Sequence, residues 1–446
     1  MLLIHKTDLP PLTGLRFMAA FSILYMHTTI WCLPFNDSQF FTKIAAPVGV
    51  YGMPLFFVLS GFVIHYNYGS SFHGQPYIAA ARDFLSARFA RIYPLFIFFC
   101  IFGAVSDFTA NWIRDQPRYF FSYIFHSVTL TQSWVYKIVV NDRLLLANGF
   151  GLAWSLSCEF FFYLAYIFFV FAILPLRRPV QNLIVMTLFS IAVFGALLFA
   201  MRHADDLMNF ARLHVNHFIA AQDDFDNSFY RWFFYYSPYT RIWEFIVGCL
   251  AAQLFVSLQD RPVSETERAW GLALLSLVLA SLLAFGVLYV TLPSNGTLGG
   301  LVRFFAMNFA CAAPLAVLIF CSARYRTAVS AFLSLPWIVW LGDISYSIYA
   351  VHTWTLRPFI RPSVDIDLVF GIDALFRMVL ALAFTIIVAA ATYSFIEVPC
   401  RRYLRAKLMR GRAPTAPDLA IAGAVAAQPD ASNRLSRKTT ASADVQ

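Results

Sequence analysis

The sequence GLRFMAAFSILYMHTTI, residues 14–30, has the apolar character of a membrane-spanning helix. It nevertheless contains Arg16 and, eleven positions later, His27, two groups that hydrocarbon disfavours. The rest of the chain is similarly apolar, because 60% of its 446 residues are hydrophobic and only 13% are charged. The mean hydropathy is +0.65. This composition leaves too little polar surface for a soluble protein and predicts an integral membrane protein.

Apolar runs long enough to cross a bilayer recur along the chain. A hydrocarbon core of about 30 Å takes about 20 helical residues. The runs are continuously apolar and do not alternate with polar residues, which excludes a membrane β-barrel. We therefore predict an all-α, polytopic bundle of about ten transmembrane helices. The runs lie near 15–33, 47–66, 89–106, 150–174, 181–200, 238–257, 270–290, 301–321, 335–356 and 373–396.

Basic residues beside the predicted spans indicate the orientation, since cytoplasmic loops are enriched in Lys and Arg. Two long outer segments, 107–148 and 201–237, also contain Arg, but long segments are translocated largely regardless of charge. We predict a multi-pass protein of the cell inner (cytoplasmic) membrane with both termini cytoplasmic. With this orientation the inner segments hold Lys6, Arg82, Arg88, Arg91, Arg177, Arg178, Arg261, Arg268, Arg324, Arg326, Arg401, Arg402, Arg405, Lys407, Arg410 and Arg412.

The net charge of +9 is expected to act on the lipid bilayer and its headgroups, and no nucleic acid is predicted as a partner. The seven Cys show no CxxC spacing, so neither disulfides nor a metal site is predicted. Residues 1–405 form the predicted membrane domain. Residues 406–446 are first basic and then rich in Ala, Pro, Ser and Asp, which predicts a disordered cytoplasmic tail.

Three polar residues from different spans are predicted to reach a similar depth in the outer half of the bilayer. At 1.5 Å per residue, His27 lies about 16 Å from Arg16 along its helix. Glu159 lies about 13 Å below the start of its span, and His352 lies about 24 Å up from the start of its own. Because a carboxylate is costly in hydrocarbon unless it is paired, Glu159 is expected to orient or stabilise a His. The alternative is a polar network that only locks the helices together.

A second polar group is predicted at the inner face. Arg88 and Arg91 lie one helical turn apart, so both guanidinium groups can face the same way and grip phosphates. Arg16 and Glu397 either join this group or pair with each other. Ser60 and the adjacent Gly61 have little bulk, which fits either the passage of a thin ligand or close helix packing.

Seven stretches in a fixed order resemble the membrane-bound acyltransferase family 3, whose members O-acylate polysaccharides, peptidoglycan and other exported molecules. The resemblance covers roughly residues 8–405. It is to the form without a fused SGNH hydrolase domain, because few residues follow the last span. The stretches are LTGLRFMAAFSILYMH, VYGMPLFFVLSGFVI, RFARIYPLF, SVTLTQSW, WSLSCEFFFYL, LGDISYSIYAVH and FIEVPCRRYL.

The resemblance implies an O-acyltransferase that moves an acyl group, most often acetyl, from cytoplasmic acyl-CoA to an outer hydroxyl. The family's Arg and His, with ten residues between them, fall on Arg16 and His27, and its RxxR motif on Arg88 and Arg91. Its Glu after WSLS falls on Glu159. Acyl-CoA is then a co-substrate, and no permanently bound cofactor is expected.

The residues and the resemblance together give a mechanistic hypothesis. Catalysis is assigned to His27 and Glu159, with His27 acting either as a general base or as a transient acyl carrier. Binding of acyl-CoA is assigned to Arg16, Ser60, Arg88 and Arg91. Binding of the acceptor, a carbohydrate or another hydroxyl compound, is assigned to Trp154, Tyr349 and His352, of which Tyr349 and His352 bind either the acceptor or the developing oxyanion.

Two rival functions and one further segment stay open. A transporter or flippase of a glycan or lipid would also need polar groups inside the membrane, although the two halves of the chain show no repeat. A non-catalytic scaffold is the second rival. The outer segment 201–237 combines acids with FYRWFFYYSPY, which fits an acceptor site or an interfacial aromatic belt.

Overall fold

A computed structural model describes most of the chain. The described residues are 9–32, 45–74, 76–109, 117–138, 144–147, 153–173, 179–215, 218–221, 224–293, 296–307, 310–360 and 372–408. Within these ranges the fold is helical, and its only β-type pairing is an isolated bridge between Ile138 and Leu144.

Fourteen helices of eleven or more residues are labelled here in chain order. They are α1 (Pro10–Cys32), α2 (Gly52–Tyr68), α3 (Tyr77–Thr109), α4 (Pro117–Val128), α5 (Trp154–Ile173), α6 (Pro179–Arg202), α7 (Ala204–His214), α8 (Pro238–Leu258), α9 (Glu265–Thr291), α10 (Thr297–Met307), α11 (Ala312–Arg324), α12 (Ser345–Thr355), α13 (Ile372–Thr392) and α14 (Val398–Leu408). Short α-helical segments occupy Ala46–Gly49, Ser71–Gly74, Phe229–Arg231, Ala328–Leu333 and Pro336–Asp343. Short 3-10 turns lie at Leu145–Ala147, Phe225–Asn227 and Arg357–Phe359, and π-helical turns at Trp232–Tyr236 and Tyr393–Glu397.

Within the described ranges, each of the ten predicted apolar runs is mostly helical. Seven helices in the described ranges are long and apolar enough to cross a membrane. The other predicted runs are α1, the pair α10 and α11, and the pair formed by Pro336–Asp343 and α12. The prediction of an all-α polytopic membrane protein is confirmed. Of the predicted tail, only residues 406–408 are described, as the end of α14, and the remainder lies outside the described residues.

Helix α2 lies at the centre of the bundle and is buried on most of its surface. It packs closely against α8, because a Cβ at Gly61 would overlap the carbonyl oxygen of Phe245 and a Cβ at Gly248 would overlap that of Val58. Two glycines thus bring the backbones of α2 and α8 together, as small residues do in membrane helix pairs. Of the two uses predicted for Gly61, the structure shows helix packing.

Most of the apolar core lies in two clusters that share α2, and a third, small cluster contains Tyr123 and Leu145. Of the two large clusters, one contains Phe57 and Ile64 with residues of α3, α5 and α12, and the other contains Leu59 and Phe62 with residues of α8 and α11. Helix α1 packs against α2, α12 and Pro336–Asp343. This arrangement surrounds the polar faces of α1, α2, α3, α5 and α12, which are the helices that carry the predicted site residues.

Candidate active site

The two predicted imidazoles meet between α1 and α12. Nδ1 of His27 lies 2.9 Å from Nε2 of His352, and the two rings stack with centroids 5.1 Å apart. The side chain of His352 is buried, with 1% of the residue exposed, whereas His27 is partly exposed. His27 is therefore the member of the pair that has accessible surface.

Tyr349 connects the histidine pair to α5. Its backbone carbonyl oxygen lies 2.7 Å from Nδ1 of His352, and its ring centroid lies 5.6 Å from that of His352. Its hydroxyl forms a 2.7 Å hydrogen bond with Oγ of Ser155. Both Tyr349 and Ser155 also line the cavity described next.

A narrow cavity of about 90 Å³ lies between α1, α2, α3, α5 and α12. Along α2 its lining extends from Met53 to Ile64, which is about 16 Å at 1.5 Å per residue. Neither His27 nor His352 lines this cavity, which reaches the neighbourhood of the histidine pair through Tyr349 and Ser155. It is lined by six of the nine predicted site residues: Arg16, Ser60, Arg88, Arg91, Glu159 and Tyr349.

Glu159 lies with the arginines of this cavity. Oγ of Ser60 donates a 2.8 Å hydrogen bond to Oε1 of Glu159, and Tyr163 is a further hydrogen-bond partner of the carboxylate. The hydrogen bond of His27 runs to His352 instead. The sequence predicted Glu159 beside His27. In the structure, the imidazole of His352 lies there instead.

The three predicted phosphate-binding arginines cluster at one end of the cavity. Arg88 and Arg91 are both electrostatic neighbours of Arg16, and the acidic neighbours of Arg16 are Asp343 and Glu159. Arg88 donates from Nη2 to the Tyr68 hydroxyl at 3.0 Å. Its Nε is buried and has no hydrogen-bond partner among the described residues. Three cations beside two acids make this end of the cavity attractive to anions.

Glu397 has partners of its own. Its Oε2 accepts a 2.8 Å hydrogen bond from Ser347, and its Oε1 lies 3.6 Å from Arg401 one turn further along. The pairing of Glu397 with Arg16 that the sequence left open therefore does not form in this structure.

Several cavity residues were not identified from the sequence. Ser155 and Tyr163 flank Glu159 at a spacing of four residues on α5, and Ser345 and Tyr346 precede Tyr349 on α12. Helical spacing from a suspected residue is the signal that would have found them, since positions three and four apart share a face.

A buried ion pair was also missed. Arg241 and Glu244 on α8 have fully buried side chains and are joined by a 2.8 Å bond between Nη1 and Oε1. The Arg241 guanidinium lies 4.7 Å from the ring centroid of Tyr235 and 5.9 Å from that of Trp154. Trp154 therefore packs against this ion pair. It is not one of the residues that line the cavity. Opposite charges one turn apart within an apolar run were the available signal.

The acids of the outer segment have local partners. Asp224 accepts hydrogen bonds from the Asp226 backbone and from Asn227, and Asp226 pairs with Arg231. Asp206 lies 2.9 Å from His203 and is exposed. These contacts fit the solvated acids of an interfacial belt. Asp223, which belongs to the same predicted group, lies outside the described residues.

Comparison with known proteins identifies relatives of two kinds. The chain is 30% identical to the acyltransferase MdmB of Streptomyces mycarofaciens over 166 residues, which is 35% of this chain and 38% of MdmB. It is 24% identical to the O-acetyltransferase OatA of Staphylococcus aureus (strain NCTC 8325 / PS 47) over 404 residues, 88% of this chain and 57% of OatA. The chain thus spans little more than half the length of OatA and less than half the length of MdmB. No solved structure matches the chain.

A family profile described as an acyltransferase domain matches residues 11–394, which include all nine predicted site residues. The match extends from the start of α1 to the end of α13. The chain therefore belongs to the membrane-bound acyltransferase family 3.

Proposed function

We propose that this protein is an O-acyltransferase that moves an acyl group, acetyl in the simplest case, from cytoplasmic acyl-CoA to a hydroxyl of an extracytoplasmic acceptor. The observation that carries the proposal is the cavity that joins the arginine cluster to Tyr349, whose ring and backbone carbonyl contact His352. The family membership and the names of MdmB and OatA support acyl transfer as the reaction class.

The arginine end of the cavity is suited to the phosphates of acyl-CoA. Guanidinium groups bind phosphate oxygens through paired, charge-assisted hydrogen bonds. The unpartnered Nε of Arg88 offers such a donor. We assign Glu159 and Ser60, which are bonded to each other, to organising this end of the cavity. The narrow remainder of the cavity admits only a slender chain, which would carry the thioester toward Tyr349.

The reaction itself requires a proton acceptor for the hydroxyl group, and we assign this role to His27, whose partner His352 contacts Tyr349 of the cavity lining. In direct transfer, the acceptor oxygen bonds to the thioester carbonyl carbon while its proton passes to His27. The C–S bond then breaks, and the same proton goes to sulfur, so CoA leaves as a thiol. In the alternative route, His27 attacks the thioester carbonyl carbon and CoA leaves as the thiolate; the acceptor oxygen then takes the acyl group from His27, and the hydroxyl proton goes to the thiolate. Tyr349 is positioned to donate a hydrogen bond to the developing oxyanion.

The proposed sidedness follows from the positive charge of the inner segments. It places the protein in the inner membrane with both termini cytoplasmic, so that acyl-CoA enters at the arginines. The acceptor, a carbohydrate or another exported hydroxyl compound, then approaches from the opposite side. His27, being partly exposed, is the residue at which the two would meet.

The proposal is tested with purified protein in nanodiscs, radiolabelled acetyl-CoA and glycan extracted from the envelope of the expressing cells. We expect label to enter the glycan with release of an equal amount of CoA thiol. His27→Gln should abolish both, whereas His203→Gln, which changes an exposed His of the outer segment, should change neither. No label and no thiol from the wild type would contradict the proposal and favour the transporter. Undiminished label with His27→Gln would remove His27 from the mechanism.

A further inference from the structure

We infer that His352 is a positioning residue, which holds neutral His27 in the tautomer with its proton on Nδ1 and thereby leaves Nε2 free to accept a proton. The inference rests on the proposed role of His27 in acyl transfer. It gives His352 a different task from the acceptor binding expected from the sequence, because a side chain buried to 1% exposure is screened from a substrate.

The first step concerns the proton of His352. A carbonyl oxygen can only accept a hydrogen bond, so the 2.7 Å contact with the Tyr349 carbonyl requires a proton on Nδ1 of His352. A buried imidazole without a counter-charge favours its neutral form, which carries a single N–H. Among the residues that the structure describes, no carboxylate bonds to either ring of the pair. Nε2 of His352 is therefore a bare acceptor.

The second step follows from the contact between the rings. Nε2 of His352 and Nδ1 of His27 lie 2.9 Å apart, a hydrogen-bond distance that requires one proton between them. Since His352 cannot supply it, Nδ1 of His27 is the donor. A neutral His27 then has no proton on Nε2. In the described part of the chain, no residue forms a hydrogen bond with that nitrogen.

The third step is the consequence for the reaction. Nε2 of His27 can take the acceptor proton, and the resulting imidazolium keeps its bond from Nδ1 to His352. A carboxylate fixes the tautomer of a catalytic His in serine hydrolases. Here a neutral imidazole would do so, and it avoids the cost of an additional buried charge in the membrane.

The two amide substitutions of His352 separate this role from a structural one. Gln places an amide oxygen near the position of Nε2, so His352→Gln retains an acceptor for His27. Asn places its amide near Nδ1, so His352→Asn retains the bond to the Tyr349 carbonyl and loses the one to His27. Both variants replace an imidazole by an amide, and thus they make a matched pair.

The direct readout is nitrogen NMR of the protein with isotope-labelled histidines, in detergent and without substrate. Nine His are present, and the signals of His27 are identified by their loss in His27→Gln. We expect protonated Nδ1 and bare Nε2 in the wild type and in His352→Gln, and a shift toward protonated Nε2 in His352→Asn. A wild-type His27 with bare Nδ1, or an unchanged tautomer in His352→Asn, would overturn the inference.

The activity readout keeps this inference distinct from the proposed function. Acetyl transfer should fall about 10- to 100-fold in His352→Asn, the range seen when an orienting partner of a functional His is lost, and should recover in His352→Gln. Equal loss in both variants, with the tautomers behaving as expected, would overturn the catalytic importance of the contact. If the wild type transfers no acetyl group, the proposed function fails while the tautomer result still decides the role of His352.

Discussion

Replacement of the cavity arginines should weaken the binding of acyl-CoA. Arg88 and Arg91 line the cavity, and Nε of Arg88 is buried without a partner in the described ranges. A hydrogen bond to a charged group contributes about 1.5–3 kcal/mol. At about 1.4 kcal/mol per factor of ten, the loss of one such bond raises KM for acyl-CoA roughly 10- to 150-fold. We predict this change for Arg88→Gln and for Arg91→Gln.

The control is Arg82→Gln on the same helix. Arg82 is exposed and is not part of the cavity lining, although it carries the same charge. KM is measured from initial rates with varied acetyl-CoA at a fixed acceptor concentration, after the thermal stability of each variant has been checked. Because Arg88 and Arg91 are neighbours, the double variant should lose less than the sum of the single effects. An unchanged KM in the double variant, or an equal rise in Arg82→Gln, would refute the phosphate assignment.

Three further predictions concern the buried ion pair, the helix contact and the tyrosine. Glu244→Ala leaves the Arg241 charge unpaired and should destabilise the fold by about 3–5 kcal/mol, whereas the double variant Glu244→Leu and Arg241→Met should be destabilised less. Equal shifts of the thermal unfolding temperature in the two variants would contradict this prediction. Gly61→Ala should lower the unfolding temperature, because its Cβ meets backbone, whereas Gly195→Ala meets open space and should be neutral or stabilising; a tolerated Gly61→Ala would disprove the close contact. Tyr349→Phe should lower kcat about 10²- to 10³-fold with little change in KM for acetyl-CoA, and a full kcat would exclude the hydroxyl as an oxyanion donor.

The fold could be predicted from the sequence because the bilayer imposes one requirement on every span. A helix that satisfies its own backbone hydrogen bonds needs about 20 apolar residues, and this length is readable without knowledge of the partners. The length of an apolar run does not show whether its helix is interrupted. The predicted run 335–356 forms two helices, Pro336–Asp343 and α12, with a break near Ile344. The position of this break depends on backbone hydrogen bonds and local packing.

The depth of each candidate site residue in the membrane could be predicted from the sequence. Which helices lie beside one another could not. Counting residues along a helix gives the axial level, which brought His27 and His352 to the same height. It does not give the helix face or the neighbour, so Glu159 was expected beside His27, although it lies with Ser60 and the arginines. Which helices face each other depends on contacts such as that of Gly61 with Phe245, between residues far apart in the sequence.

The ion pair of Arg241 and Glu244 shows a second limit. Both residues lie inside an apolar run whose mean hydropathy is still that of a membrane span, so the two charges do not stand out in the sequence. Their burial depends on Tyr235, Phe57 and Trp154, which reach the guanidinium from three separate segments. Only the assembled bundle shows this aromatic enclosure.

Transfer of an acyl group from one side of the membrane to the other is tested most directly in sealed proteoliposomes. Radiolabelled acetyl-CoA is added outside, and the acceptor glycan is enclosed before sealing. The molecules whose arginine end faces outward should label the enclosed glycan, and His27→Gln should not. Label that enters the glycan only after the vesicles are opened with detergent would contradict a reaction through the cavity from opposite sides.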